Sequence, residues 1–224
     1  MTYDPGSRAR LGPRDKDRFP EDTLFHRIAR VLCDEQCLPR KELFEAWEVA
    51  RRARRRFRGG RVVDLACGHG LVAAFLLLLD DTSPSAVAAD VRLPKSAEKS
   101  LAALVRAWPR LDGRVRFVES DVEDVPLFAG DLVVSAHACG RLTDRVLARA
   151  TEARASVVVL PCCHSQAKCD AGDLEGWMDL ALAIDATRAL RLRAAGYAVH
   201  TQTIPEAITP KNRLLFGEPA EQPG

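Results

Sequence analysis

From residue 61 onward, short apolar runs alternate with longer stretches of helical period. Arg61–Leu65, Ala86–Ala89, Arg114–Val118, Leu132–Ala136 and Ser156–Leu160 are apolar runs of strand length. Between them, His69–Leu79, Pro94–Ala107 and Thr143–Ala153 carry apolar residues at helical spacing. A longer helix is expected over Asp173–Ala195, stopped by Gly196. Tyr197–Ile204 and Arg213–Phe216 read as two final strands, a hairpin joined by residues 205–212. Strands alternating with helices predict an α/β fold with a parallel sheet, and the unbroken apolar run 156–160 suits its buried centre. Two helices precede the first strand. Glu21–Cys33 places Leu24, Phe25, Ile28, Ala29 and Leu32 on one face, and Arg40–Phe57 turns Leu43, Trp47, Ala50 and Phe57 inward. They form a natural cover for a cleft. Residues 1–20 are rich in Gly, Pro, Arg and Asp, lack periodicity and are expected to be disordered or loosely attached. The expected organisation is that loose segment, a helical extension over 21–60, a core domain over 61–217 and a tail over 218–224.

Composition narrows the setting. The chain has 224 residues, 47% of them hydrophobic, which suits one globular core with a small extension. No apolar run approaches the roughly 20 residues that span a bilayer, and the polar N-terminus lacks an apolar signal core. A cytoplasmic location without membrane contact is expected. The seven cysteines then read as reduced thiols, metal ligands or catalytic groups rather than disulfides. Charge is uneven. Residues 1–60 hold 15 Lys/Arg against 10 Asp/Glu, although the whole chain is only +2. The excess lies in Arg51, Arg52, Arg54, Arg55, Arg56 and Arg58. This run is either a contact for an anionic partner such as an RNA backbone or the solvated face of an amphipathic helix.

The most informative stretch is Asp64-Leu65-Ala66-Cys67-Gly68-His69-Gly70, between the first core strand and its helix. Gly68 and Gly70 let the backbone approach a ligand, and free N–H groups at the helix start favour an anion. A nicotinamide site would carry Gly-x-Gly-x-x-Gly and a ribose acid about 20 residues later. Here the acid precedes the loop and the third glycine is missing. An acid beside an anion-binding loop suits a ligand bearing an ammonium and a carboxylate on one carbon, such as the methionine part of S-adenosylmethionine (SAM). The stretch resembles motif I of the class I SAM-dependent methyltransferases, with Ala66 where the first glycine is usual. An alanine permits the turn if its φ is negative. The resemblance implies a seven-stranded, mostly parallel sheet with an antiparallel last strand, helices on both faces and an N-terminal helical cap.

In open α/β sheets ligands sit beyond the carboxyl ends of the strands. Asp90 ends the second strand and is expected to accept from both ribose hydroxyls. Asp121 follows the third and, by the resemblance, accepts from the adenine amino group, with Val122 offering its N–H to the ring. Glu119, Glu123 and Asp124 compete for that role. Asp64, Ala66, Gly68 and Gly70 complete the expected cofactor set, with Ser135 at the end of the fourth strand. Asp64 alternatively braces the loop.

Beyond the fourth strand comes Ser135-Ala136-His137-Ala138-Cys139-Gly140, and beyond the fifth Pro161-Cys162-Cys163-His164. Neither is Asn-Pro-Pro-Tyr, so methylation of an exocyclic amine in that manner is disfavoured. Three readings stand. His137, Cys139, Cys162 and His164 are catalytic or position the acceptor, a histidine serving as general base. A zinc site draws on His137, Cys139, Cys162, Cys163, His164 and Cys169, although no Cys-x-x-Cys pair is present. Or small polar residues pack the cleft. In a variant of the first, Cys162 attacks as a nucleophile, as the cysteine after strand five does in RNA cytosine-5 methyltransferases. The His-x-Cys-Gly and Pro-Cys-Cys-His segments resemble a class I subgroup that includes eukaryotic tRNA ribose 2′-O-methyltransferases. That resemblance implies an RNA acceptor, tRNA before others, with protein and small molecules as alternatives, or a module that binds SAM or RNA without catalysis. The loop Thr209–Arg213 is expected at the cleft rim, where Lys211 or Arg213 can meet phosphate.

Overall fold

The computed structural model describes residues 3–165 and 169–220. Seven strands form one sheet: β1 (Val62–Leu65), β2 (Ala86–Asp90), β3 (Val115–Glu119), β4 (Leu132–Ser135), β5 (Ser156–Val159), β6 (Tyr197–Thr203) and β7 (Arg213–Pro219). Their order is β3-β2-β1-β4-β5-β7-β6, with β7 antiparallel to both neighbours and every other pairing parallel. This is the Rossmann-like α/β architecture expected. The order reverses between β1 and β4, the place where such sheets open a ligand crevice.

Alternation along the strands divides the core. Val62, Ala86, Ala88, Leu132, Val134 and Val158 pack under helices α1 (Leu24–Glu35), α2 (Arg40–Arg56), α3 (Leu71–Leu79) and α4 (Lys95–Ala107). Val63, Leu65, Val133, Val157 and Val159 face the layer of α5 (Arg141–Glu152) and α6 (Leu180–Ala194). Val62–Leu65 is buried throughout, as a strand covered on both faces must be. Among the described residues, no helix is long and apolar enough to cross a membrane.

Three expectations need correction. The described part of the N-terminal segment is attached, not loose. Leu11 and Phe19 are 1% and 2% exposed, and Arg40 lies 4.1 Å over the Tyr3 ring. The cause is the start of α2. Its N-cap, Pro39, has no side-chain acceptor for the free N–H groups of the first turn. The carbonyls of Ala9 and Ser7 take those of Arg40 and Lys41, both at 2.9 Å. Second, α6 begins at Leu180, capped by Asp179, rather than at Asp173. Asp173 sits at φ +57°, which breaks the helix before its apolar spacing can propagate. Third, β7 runs on to Pro219, because Ala198 and Val199 pair with Glu218 and Gly217, so the expected tail starts inside a strand. Residues 1–2 and 221–224 of the expected end segments lie outside the described residues.

Four of the six arginines of the run are paired within the fold, although Arg55, Arg56 and Arg58 are exposed. Arg54 is 2% exposed and donates to the Leu76 carbonyl at 3.1 Å and to Ser83 Oγ at 2.6 Å, with Asp80 3.5 Å away. Arg51 and Arg52 both pair with Glu48, and Arg56 pairs with Glu218. Asp80 and Ser83 precede β2, so the run lies at the amino ends of the strands, away from the crevice. Removing one partner of a buried pair costs about 3 kcal/mol. Arg54→Met is therefore expected to lower stability in urea unfolding by about that amount, while the exposed Arg55→Ala changes it by less than about 0.5 kcal/mol.

Candidate active site

The turn from β1 to α3 is built from left-handed residues. Ala66, Gly68 and Gly70 have φ of +53°, +55° and +66°. Cys67 N–H donates to the Ala89 carbonyl at 3.0 Å, and Gly70 N–H to the Cys67 carbonyl at 2.9 Å. Gly70 must be glycine twice over, since a Cβ there would lie 2.5 Å from the Phe117 ring. Ala66 adopts the conformation a glycine takes without cost, so the negative φ on which an alanine permits the turn easily is not met. Ala66→Gly is expected to stabilise the fold by up to about 1 kcal/mol in thermal unfolding, the relieved strain outweighing the added freedom of the unfolded chain.

The expected cofactor acids divide. Asp64 is 1% exposed and accepts from Ala73 N–H at 3.2 Å. It braces the start of α3 and does not line the crevice. Burial pushes its carboxyl well above the usual range, and Asp90 and Glu42 add to that. Asp90 does face the turn. Its Oδ2 accepts from Gly68 N–H at 3.0 Å and its Oδ1 from Arg92 N–H at 3.3 Å. Asp121 is half-exposed, accepts from Glu123 N–H at 3.0 Å and pairs with Arg145, which also holds Glu123 at 2.6 Å. The Glu123 N–H, and then Arg145, hold its pKa below the usual value despite some desolvation. Val122 is buried with Val125 and Ala138. Ser135 is 1% exposed, and its hydroxyl has no partner among the described residues.

A polar chain that the sequence does not announce crosses the turn. Glu42 Oε1 lies 2.7 Å from His69 Nδ1, and His69 Nε2 lies 2.8 Å from Ser96 Oγ. His137 Nε2 is 4.0 Å from the same Glu42 oxygen. Burial opposes ionisation of Glu42, but the His69 hydrogen bond, with the charges of His69 and His137, outweighs it and lowers its pKa. These residues are 27 or more positions apart, and only the packing of α2 and α4 around the turn joins them. A Cβ on Gly68 would come 3.5 Å from His137 Cδ2 and 3.7 Å from Glu42 Oε1, so both side chains border the turn at Gly68.

The segments after β4 and β5 leave the sheet side by side, because Ser135 pairs with Val159. His137, Cys139, Cys162 and Cys163 line one cavity of about 610 Å³, with Lys41 and Glu45 from α2 and Asp4 and Arg8 from the N-terminal segment. Its far wall is the loop 206–211, including Lys211 as expected for the hairpin loop. His164, expected beside them, is not there. Its side chain is 3% exposed and Nε2 bonds Asp185 at 2.8 Å. Asp185 also holds Arg213 at 2.8 Å and Arg188 at 3.2 Å, which engages the second expected rim cation. Cys169 accepts from Arg188 at 3.8 Å and belongs to this network too. Burial works against the Asp185 carboxylate, but hydrogen bonds from His164 and Arg213 hold its pKa low. A carboxyl lowered in this way stabilises the fold above its unfolded pKa and loses that contribution as pH falls. Asp185→Asn is expected to cost about 3 kcal/mol at neutral pH by chemical denaturation, the gap closing as pH falls below about 4.

A strand-order reversal, a left-handed turn after β1 and an acid on the next strand tip are features that ligand-binding open α/β sheets carry. A family model described as a methyltransferase domain matches residues 42–170. The chain belongs to this methyltransferase family. The match begins at Glu42 and takes in the turn, Asp90, Asp121 and both His/Cys segments of the methyltransferase. Among related proteins, the glutathione S-transferase C-terminal domain-containing protein of Homo sapiens is 28% identical over 204 residues, covering 72% of this chain and 30% of that protein. The chain spans less than a third of that relative's length. Solved methyltransferase structures share the fold. The Bacillus subtilis M1A22 tRNA methyltransferase TrmK aligns with a TM-score of 0.52 at 15% identity, covering 79% of this chain and 65% of that one. The SAM-dependent methyltransferase SibL aligns at 0.50 with 19% identity, covering 95% and 66%.

Proposed function

We propose that this methyltransferase takes its methyl group from SAM bound over the Gly68 turn and passes it to an acceptor in the cavity beyond His137. One observation carries the reading: the His137 ring borders the turn at Gly68 and also lines the cysteine-walled cavity. A single side chain thus touches both the donor cradle and the acceptor chamber.

The residues present fit the cofactor. Gly68 leaves the turn bare of a side chain where His137 and Glu42 border it, and Asp90 stands beside it with a carboxylate suited to a ribose diol. Asp121 and the Val122 N–H stand one strand further along for the adenine. The N–H groups at the start of α3 favour the methionine carboxylate, and Glu42 offers a low-pKa carboxylate on the same side. Bound there, SAM supplies an electrophilic methyl on a sulfonium. The chain orients the acceptor in line with it, and His137 takes the acceptor's proton as general base. His164, buried against Asp185, has no part in this step.

RNA, tRNA before others, is the acceptor we favour, on the resemblance of the Pro-Cys-Cys-His segment and on Arg8, Lys41 and Lys211 at the cavity. The arginine run no longer supports it. Asp4, Glu45 and Glu206 balance those cations, which favours the second reading, a protein or small-molecule acceptor.

Isothermal titration is expected to show one SAM per chain, weakened at least about tenfold in Asp90→Ala with folding checked by thermal melt. No heat with the parent protein overturns the proposal. His137→Ala is expected to lose about 10²-fold or more of labelled-methyl transfer to fractionated lysate while keeping SAM affinity within about tenfold. Label removed by nuclease supports RNA, and label removed by protease supports the second reading.

A further inference from the structure

The sulfurs of Cys139, Cys162 and Cys163 lie within 4.8 Å of one another. Cys162 Sγ is 3.8 Å from Cys163 Sγ and 2.6 Å from Cys139 Sγ. Zinc bonded to thiolates at about 2.3 Å in a tetrahedron sets its sulfurs about 3.8 Å apart. One pair stands at that spacing. The Cys139–Cys162 pair is closer than two unbonded sulfurs sit comfortably, yet longer than the roughly 2.05 Å of a disulfide, and Cys139–Cys163 lies within 4.8 Å.

The backbone delivers this cluster. The adjacent parallel strands β4 and β5 release their loops together, and Gly140 N–H donates to the Cys163 carbonyl at 3.2 Å to tie one loop to the other. Of the other candidates the sequence offered, Cys169 is engaged by Arg188 and His164 by Asp185, while His137 lines the same cavity outside the three-sulfur cluster. All three clustered cysteines line the cavity that also holds His137, Lys41 and Glu45.

We propose that Cys139, Cys162 and Cys163 form a thiolate site for zinc, with the fourth coordination position open to this cavity. Soft sulfur ligands select zinc over magnesium or calcium, and three protein ligands with one open position is the arrangement of a site that binds water or a substrate atom. The open position faces the chamber in which the proposed acceptor sits. An acceptor heteroatom placed on the ion loses its proton more readily. The metal site itself stands whether or not SAM binds.

The test uses the full chain, purified without a metal-affinity tag and kept reduced. Zinc per chain is measured by mass spectrometry of the metal, and the apoprotein is titrated with Co²⁺. One zinc per chain, and cobalt spectra with thiolate charge-transfer and tetrahedral bands, are expected. Each of Cys139→Ser, Cys162→Ser and Cys163→Ser should weaken zinc binding by more than the roughly 10–100-fold that a supporting residue costs. Cys37→Ser, at the α1–α2 connection, should leave it unchanged. Fully reduced protein that retains no zinc and gives no thiolate bands overturns the site, as does zinc binding unaffected by all three substitutions. None of these readouts uses SAM, so they fail or succeed independently of methyl transfer.

Discussion

The molecule depends on one reversal of the backbone. Leaving β1, the chain must turn back into α3 within five residues while holding its register on β2 and β4. It does so with three left-handed residues, and the turn is locked from four directions. Ala89 and Cys67 carbonyls hold its N–H groups, Asp64 holds α3 from below, and Asp90 holds Gly68 from the neighbouring strand. Phe117 of β3 closes the last side, against a position where no side chain fits. The contacts from Ala89, Asp90 and Phe117 require β2 and β3 to lie beside β1, so the shape of the turn follows from the sheet order.

The cap over that turn comes from outside the sheet. Glu42, in the first turn of α2, reaches His69 within the turn and stands near His137 beyond β4. Residues 3–19 in turn hold α2 in place by supplying carbonyls to its uncapped start and aromatic surface to its apolar side. A segment that reads as loose thereby sets the wall of the cavity where the acceptor is proposed to sit.

Much of this was legible in the sequence. The five strands with apolar runs and the helices after β1, β2 and β4 appear within one or two residues of expectation, because burial on both faces leaves little freedom in what such a strand contains, whereas α6 starts seven residues late. Asp90 stands where a strand-end acid should. What was not legible arises from long-range pairing. Residues 1–20 lack periodicity, yet Leu11 and Phe19 are anchored by partners in α1 and α2. His164 sits beside two cysteines in sequence and two loops away in contact, because Asp185 of α6 captures it. The run of arginines signalled an anionic partner, but Glu48, Asp80 and Glu218 satisfy most of it within the fold. Local pattern reports which surface a residue prefers; it does not report which distant partner reaches it first.

The account turns on what lies between Gly68, Asp90 and His137. A crystal structure of the full chain grown with S-adenosylhomocysteine tests it most directly. The account predicts the product's methionine end over the Gly68 turn, its ribose hydroxyls on Asp90 and its sulfur facing His137 and the cysteine-walled cavity. Density for the product elsewhere, or a Glu42–His69–His137 cap that stays shut over an empty turn at saturating product, would contradict it.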